Sequence, residues 1–440
     1  MVSMRAIKMG LCVALCMTAI ACGGGGGGGG AGVGGSSSGG VGGSSSSSSG
    51  GSSSSSSSGG SSSSSSGGVT TGNVANVIID QGPSNNSVNT LFTSVTVCAP
   101  GSTTNCQTID HIQVDTGSYG LRVLAPVLTA AMRSALPVET LTSGKTVAEC
   151  TQFVDGFAWG PIVTADVQIA GESAKSVPVQ SIGDSRYSSV PSDCSSSGGT
   201  AENTVATFGA NGILGIGPFE IDQPGCANSA VSACYYACAT ATSCTSSAVP
   251  TAMLVPNPVT RFATDNNGSI VVLPSVPAPA LTVSGSLIFG IDTQANNQSG
   301  TQTVLTVDQN AELAMTYNGQ TLANSFIDSG SNGIYFKDTA LVTCTTTLTD
   351  FYCPASTLTL GPLSIQGMNG TMVNNLTFAV GNAQTMLNAN PTFNVFPQLA
   401  GTNPNPGSFD YGLAFFFGKR VAVAVEDKVT TAGTGPYIAF

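Results

Sequence analysis

The chain has 440 residues, 41% of them hydrophobic and only 8% charged, with a formal net charge of −11 and a single histidine. A chain this acidic lacks the basic footprint of a nucleic-acid binder. One histidine excludes histidine-rich metal sites, and a Ser-His-Asp hydrolase would have to run on His111, where a strand-surface role is the simpler assignment.

At the front, Arg5 and Lys8 precede an apolar run from Met9 to Ala21 that ends in small residues at Cys22. A basic start, a short apolar stretch and small residues make an export signal, and the run is too short to span a bilayer comfortably. Because the small residues stop at a cysteine, residues 1–22 resemble a bacterial lipoprotein signal peptide, which implies a lipidated N-terminus at Cys22 and a membrane partner through that lipid. An ordinary cleaved signal with an incidental cysteine is the plainer alternative. From Gly23 to Gly68 the chain is almost pure glycine and serine. Such a segment buries no apolar surface, and residues 23–68 read as a disordered tether with an end-to-end distance of roughly 40 Å.

The folded body is expected over residues 69–440. Its ten cysteines are Cys98, Cys106, Cys150, Cys194, Cys226, Cys234, Cys238, Cys244, Cys344 and Cys353. An even set in an exported chain argues for disulfides, with Cys98–Cys106 and Cys344–Cys353 close enough in sequence to form local loops. Metal ligation by Cys234 and Cys238 in ACYYAC competes, but no second pair stands at zinc spacing and no metal site is expected.

In chain order, LFTSVTV (91–97), TADVQIAG (164–171), SIVVLP (269–274), TVSGSLIFG (282–290), TLTL (357–360) and RVAVAV (420–425) are β-branched or alternating runs bounded by Gly, Pro, Asn and Ser. They predict strands. Only VLAPVLTAAMRSAL (123–136) carries a helical period, so the fold class is all-β with a few short helices.

Two segments stand out. HIQVDTGSYGLRV (111–123) sets Asp115 in an Asp-Thr-Gly-Ser loop after an apolar run, and NSFIDSGSNGIYF (324–336) sets Asp328 in Asp-Ser-Gly-Ser. One such tetrapeptide is cheap in a chain so rich in Gly, Ser and Thr; two with the same apolar flanks, one in each half, are not. Alternation places His111, Gln113 and Asp115 on one side of the first strand and Ile112 and Val114 on the other.

On these loops the chain resembles the pepsin-like aspartic proteases, in which each of two lobes contributes one Asp-[Thr/Ser]-Gly loop to a shared cleft. NGILGIGPF (211–219) is similar to the strand that completes the first lobe's active-site fold. The passage from PNPVTRFATDNNGSIVVLP to GSLIFGIDTQ resembles the lobe crossing, and FDYGLAFFFGKRVAVAVED (409–427) the closing strands. More narrowly, the chain resembles an uncharacterised family of bacterial lipoproteins sharing this fold. The resemblance implies a bilobal fold, with an N-terminal lobe over 69–280 carrying Asp115 and a C-terminal lobe over 281–440 carrying Asp328.

It also implies chemistry without a cofactor. One carboxylate accepts a proton from the attacking water while the other, still protonated, polarises the peptide carbonyl. Gly117 and Gly330 would permit close approach of the loops, Thr116 and Ser329 would tie them together, and Ser118 and Ser331 would bond the carboxylates. Two departures matter. The region matching the mobile hairpin, CTQFVDGFAWGPIVTADVQIAG (150–171), has no tyrosine, leaving Phe157 or Trp159 as candidates for its place. Trp159 is equally suited to a structural core. At Asp410-Tyr411-Gly412 a charge stands where the family pattern has an apolar residue.

No Lys or Arg occurs between Lys8 and Arg122, so the basic prosegment of pepsin-like zymogens has no counterpart, and either a chain competent without activation cleavage or one that is never active is expected. The function expected is a membrane-tethered aspartic endopeptidase of the cell envelope, facing periplasm or exterior, acting on an extended peptide or unfolded protein. The alternative is a binding or structural lipoprotein that keeps the fold without hydrolysis. A glycosidase also uses two carboxylates, but the Gly and hydroxyl setting of both copies argues against it.

Overall fold

A computed structural model describes residues 72–440 apart from residue 197. The expected signal peptide, Cys22 and the tether lie outside the described residues. The described body is mostly β, and each strand predicted from the sequence overlaps an observed one. The helical period over 123–136 yields a short 3-10 turn, Ala125–Val127, with its proline in the first turn, and then the α-helix Ala130–Ala135. Thr129 caps that helix by accepting from the Met132 N–H, which satisfies one of the free donors at its start.

The arrangement around each aspartate loop repeats. Strand Cys106–Asp115 pairs in parallel with Gly212–Ile216, with Asp115 opposite Gly215. Gly212–Ile216 pairs in turn antiparallel with Tyr119–Leu124, the strand that leaves the first loop. In the second half, Gln320–Ile327 pairs in parallel with Asp410–Tyr411, and that strand pairs antiparallel with Ile334–Tyr335. Each loop therefore closes over a strand contributed from much later in the chain.

A central ladder joins the two halves. Val74–Ile79 pairs with Val283–Phe289, which pairs with Gly268–Val272, then Arg420–Ala424, Tyr437–Ala439 and Val304–Thr306. The expected boundary at 280/281 falls between two strands that pair with each other, so the halves share a sheet there rather than a linker. One apolar cluster likewise contains Val114 and Leu214 from around the first loop and Ile327 and Ile334 from around the second. Burying the strands that flank both aspartates in one core holds the loops rigidly.

The long hairpin Thr146–Gln152 and Gly156–Ile169 is broadened on its outer edge by the cysteine-rich segment. Tyr235–Thr240 pairs with Thr146–Gln152, and Ser243–Ser246 pairs with Tyr235–Thr240. All ten cysteines of the body are paired, as Cys98–Cys106, Cys150–Cys194, Cys226–Cys234, Cys238–Cys244 and Cys344–Cys353. Cys234 and Cys238 thus belong to two different disulfides. Five disulfides point to an oxidising, extracytoplasmic environment. No helix among the described residues is long and apolar enough to cross a membrane.

The expected two-sided alternation is interrupted at His111, while Ile112 to Asp115 pair in unbroken register with Gly212 to Gly215. His111 takes a left-handed backbone (φ 49°), and the pairing of Leu91–Cys98 with Cys106–Asp115 shifts register between Thr93 and Val95. Residues 112–115 are all buried, so both faces of the strand are covered there. His111 itself is partly exposed, with Nε2 3.2 Å from Asp80 and Nδ1 3.3 Å from Asp110.

Candidate active site

The short side chains of the two loops let backbone and hydroxyl groups converge on each carboxylate. The Gly117 N–H donates to Asp115 Oδ1 at 2.8 Å and the Ser118 hydroxyl to Asp115 Oδ2 at 2.5 Å. In the second loop the Gly330 N–H donates to Asp328 Oδ1 at 2.7 Å and the Ser331 hydroxyl to Asp328 Oδ2 at 2.9 Å. Each carboxylate is thus oriented by one amide and one hydroxyl from its own loop.

Crossed bonds tie the loops to each other. The Thr116 N–H donates to Ser329 Oγ at 3.1 Å, and the Ser329 N–H donates to Thr116 Oγ1 at 2.9 Å. The Ser329 hydroxyl donates to the Val114 carbonyl at 2.9 Å. Gln113, two residues before Asp115, donates from Nε2 to the Gly330 carbonyl at 3.0 Å.

The glycines set the spacing. A Cβ on Gly117 would stand 2.7 Å from Asp328 Cγ, and one on Gly330 would stand 2.5 Å from Asp115 Oδ1. Each glycine faces the opposite carboxylate at a distance that no side chain fits. All eight residues expected at the site from the two sequence motifs, Asp115, Thr116, Gly117, Ser118, Asp328, Ser329, Gly330 and Ser331, are therefore brought together.

Both carboxylates are buried, Asp115 at 1% and Asp328 at 0% exposure. Burial, the adjoining Asp115 carboxylate and the nearby Asp410 together push Asp328 well above the usual carboxylate range. Like charges in a dry site cannot both be present at low cost, so the site favours the protonated form of Asp328 beside Asp115. A proton acceptor and a proton donor held side by side are what acid-base attack by water on a carbonyl requires.

The hairpin candidates take another role. Trp159 is 1% exposed, its indole N–H donates to the Tyr187 carbonyl at 2.8 Å, and its ring meets Tyr236 edge-on at 5.1 Å. Phe157 is buried in the same cluster, which includes Cys150, Cys194 and Cys238. Both side chains face the layer built by the cysteine-rich segment, so the core role weighed for Trp159 is the one it fills, and its donor is already engaged. Burial, then Asp410, Asp155 in the hairpin's turn and Asp350 push the Tyr335 hydroxyl well above its ordinary value.

Two features escaped the sequence reading. Gln113 was assigned to the Asp115 side of its strand, but its reach to Gly330 depends on how the halves meet. Arg122, 2% exposed, donates from Nη2 to Glu149 and to Asp222, both at 2.7 Å, and from Nε to Thr151 at 3.0 Å. The Tyr235 hydroxyl donates to Asp222 at 3.0 Å. Burial and the charge of Glu149 push Asp222 well above the usual range, against the pull of Arg122. This cluster pins the hairpin and the cysteine-rich segment to the strand leaving the first loop; its only sequence signal was an arginine in an otherwise apolar run.

Residues 69–440 match the model of a family described as "Protein of unknown function (DUF3443)", and the chain belongs to that family. No curated protein matches the chain.

Proposed function

We propose that this family member is an aspartic endopeptidase of two-lobed, pepsin-like architecture, hydrolysing extended peptide segments with a water activated by Asp115 and Asp328. The observation that carries the reading is the crossed hydrogen bonding of Thr116 and Ser329, which sets two Asp-[Thr/Ser]-Gly-Ser loops face to face with a carboxylate on each. Asp328, the carboxyl held protonated by burial and by its neighbours, donates to the peptide carbonyl. Asp115, oriented by Gly117 and Ser118, accepts the proton of the attacking water. Both carboxylates are buried as the chain stands, so a substrate reaches them only if the segments above them move. Lipid attachment at Cys22, with residues 23–68 as tether, would keep the enzyme in the cell envelope, in keeping with its five disulfides.

The test is cleavage of an unfolded protein by the full-length chain from about pH 3 to about pH 7, with and without pepstatin, beside Asp115→Asn and Asp328→Asn. Each substitution should lower the rate by at least about 10³-fold, the scale of a lost acid or base. A folded wild type that cleaves nothing, or a substituted chain that cleaves at the wild-type rate, ends this reading. The near-complete burial of both carboxylates is the one observation favouring a non-catalytic binding lipoprotein, which the first of those outcomes would support.

A further inference from the structure

Asp410 is a third carboxyl beside the pair. It lies on the strand Asp410–Tyr411, opposite Phe326 on one side and Tyr335 on the other. Residues two apart in a strand share a face, so Asp328, two beyond Phe326, projects to the same side as Asp410. The ladder holds that register through the loop: the Asp328 N–H donates to the Tyr411 carbonyl at 3.2 Å and the Leu413 N–H to the Ser331 carbonyl at 2.8 Å.

Asp410 is 0% exposed, and neither carboxyl oxygen meets a hydrogen-bond partner among the described residues. Ser331 is near enough to favour its ionised form, while the bond the Ser331 hydroxyl makes in good geometry goes to Asp328. The titratable groups facing it are Asp328 and Tyr335 from the flanking strands and Asp115 from the opposite loop. All of them are acids. An unpartnered acid is costly in a core and is out of place in a purely structural role.

We propose that Asp410 is a positioning residue of the site, acting on Asp328 directly and through Ser331, and that it sets the upper pH limit at which the Asp115/Asp328 pair works. The inference rests on the proposed endopeptidase reading. Its physical basis is that carboxyls crowded on one face of a dry site cannot all ionise at low cost, so once one of Asp410 and Asp328 is charged the other keeps its proton to a higher pH than a two-carboxyl site would allow.

Two measurements test it. In the first, kcat/KM is followed against pH for the wild type, Asp410→Asn and Asp410→Leu; the basic limb should move to lower pH by about one unit in both variants. A folded Asp410→Asn chain whose limb stays at the wild-type pH overturns the proposal. The second needs no turnover: Tm is followed against pH for the wild type, Asp410→Asn, Asp328→Asn and the double variant. Burial raises Asp410 in the folded state, so its contribution to stability is present at low pH and is lost as pH rises through the folded value. Asp410→Asn should therefore gain Tm over the wild type as pH rises, and the gain should shrink when residue 328 is already Asn. Additive effects of the two substitutions overturn the coupling. A wild type that cleaves nothing ends the proposed function and the pH-limit claim with it, while the Tm cycle still passes or fails the contact between Asp410 and Asp328.

Discussion

Around Asp115, the neighbouring parallel strand places Ile213 beside Gln113; around Asp328, the matching positions hold Asp410 and Phe326. The backbone frame is the same in both halves, with one amide and one hydroxyl on each carboxylate and a glycine facing the opposite one. Polarity is exchanged between the strands. In the first half the polar residue precedes the aspartate, and its amide is satisfied across the loops by Gly330. In the second half the polar residue sits on the neighbouring strand as an unpartnered acid. A symmetric frame can thus give two chemically unequal carboxylates, because proton affinity depends on what surrounds each loop as well as on the loop itself.

The sharpest way to break the comparison is to write the second half's chemistry into the first. Ile213 packs among Phe92, Leu124, Ala158, Ile182 and Phe208, and its cross-strand neighbour Arg122 is already engaged by Glu149 and Asp222. Ile213→Asp should cost about 4 kcal/mol at neutral pH. The loss should be smaller at acid pH, since an acid buried there is raised in the folded state and enters neutral at low cost. Urea unfolding at two pH values checks both statements.

The crosslinks differ between the halves as well. Cys150–Cys194 ties the hairpin to a segment 44 residues on, whereas Cys344–Cys353 in the second half closes a separation of only 9. Replacing the Cys150–Cys194 pair by alanines should cost about 3 to 4 kcal/mol, and replacing Cys344–Cys353 about 1 kcal/mol less, because the longer loop releases more chain entropy on unfolding. Equal losses in calorimetry would mean that local packing outweighs loop length.

Smallest, and expected to match across the halves, are Gly117→Ala and Gly330→Ala. Each new methyl would press on the opposite carboxylate, at 2.7 Å from Asp328 Cγ and 2.5 Å from Asp115 Oδ1. A loss of about 2 kcal/mol in stability is expected from each, together with a fall in cleavage rate of more than tenfold. A large difference between the two would mean that the frame is less symmetric than its hydrogen bonds.

Much of this was legible in the residue order. The strands follow from β-branched and alternating runs, and both aspartate loops from short-range residue types, because turn geometry depends on neighbours a few positions away. Cys98–Cys106 and Cys344–Cys353 were suggested by proximity alone. The partner of Cys150 was not, because Cys194 lies 44 residues on, and four cysteines crowded into 226–244 leave more than one local pairing open, although Cys226–Cys234 and Cys238–Cys244 are separated by only 8 and 6. Trp159 was undecided as well: whether its N–H points into a core or toward a cleft depends on where Tyr187 and Tyr236 come to lie.

By itself, then, the sequence determined a mostly β body rich in disulfides and two matched loops, each able to orient a carboxylate. Tertiary structure alone decided that Thr116 and Ser329 exchange hydrogen bonds, that Gln113 reaches Gly330, and that Asp410 shares a face with Asp328. Those contacts join residues that are far apart in the chain, and pairing register, which a shift of one residue would invert, settles which side chains meet.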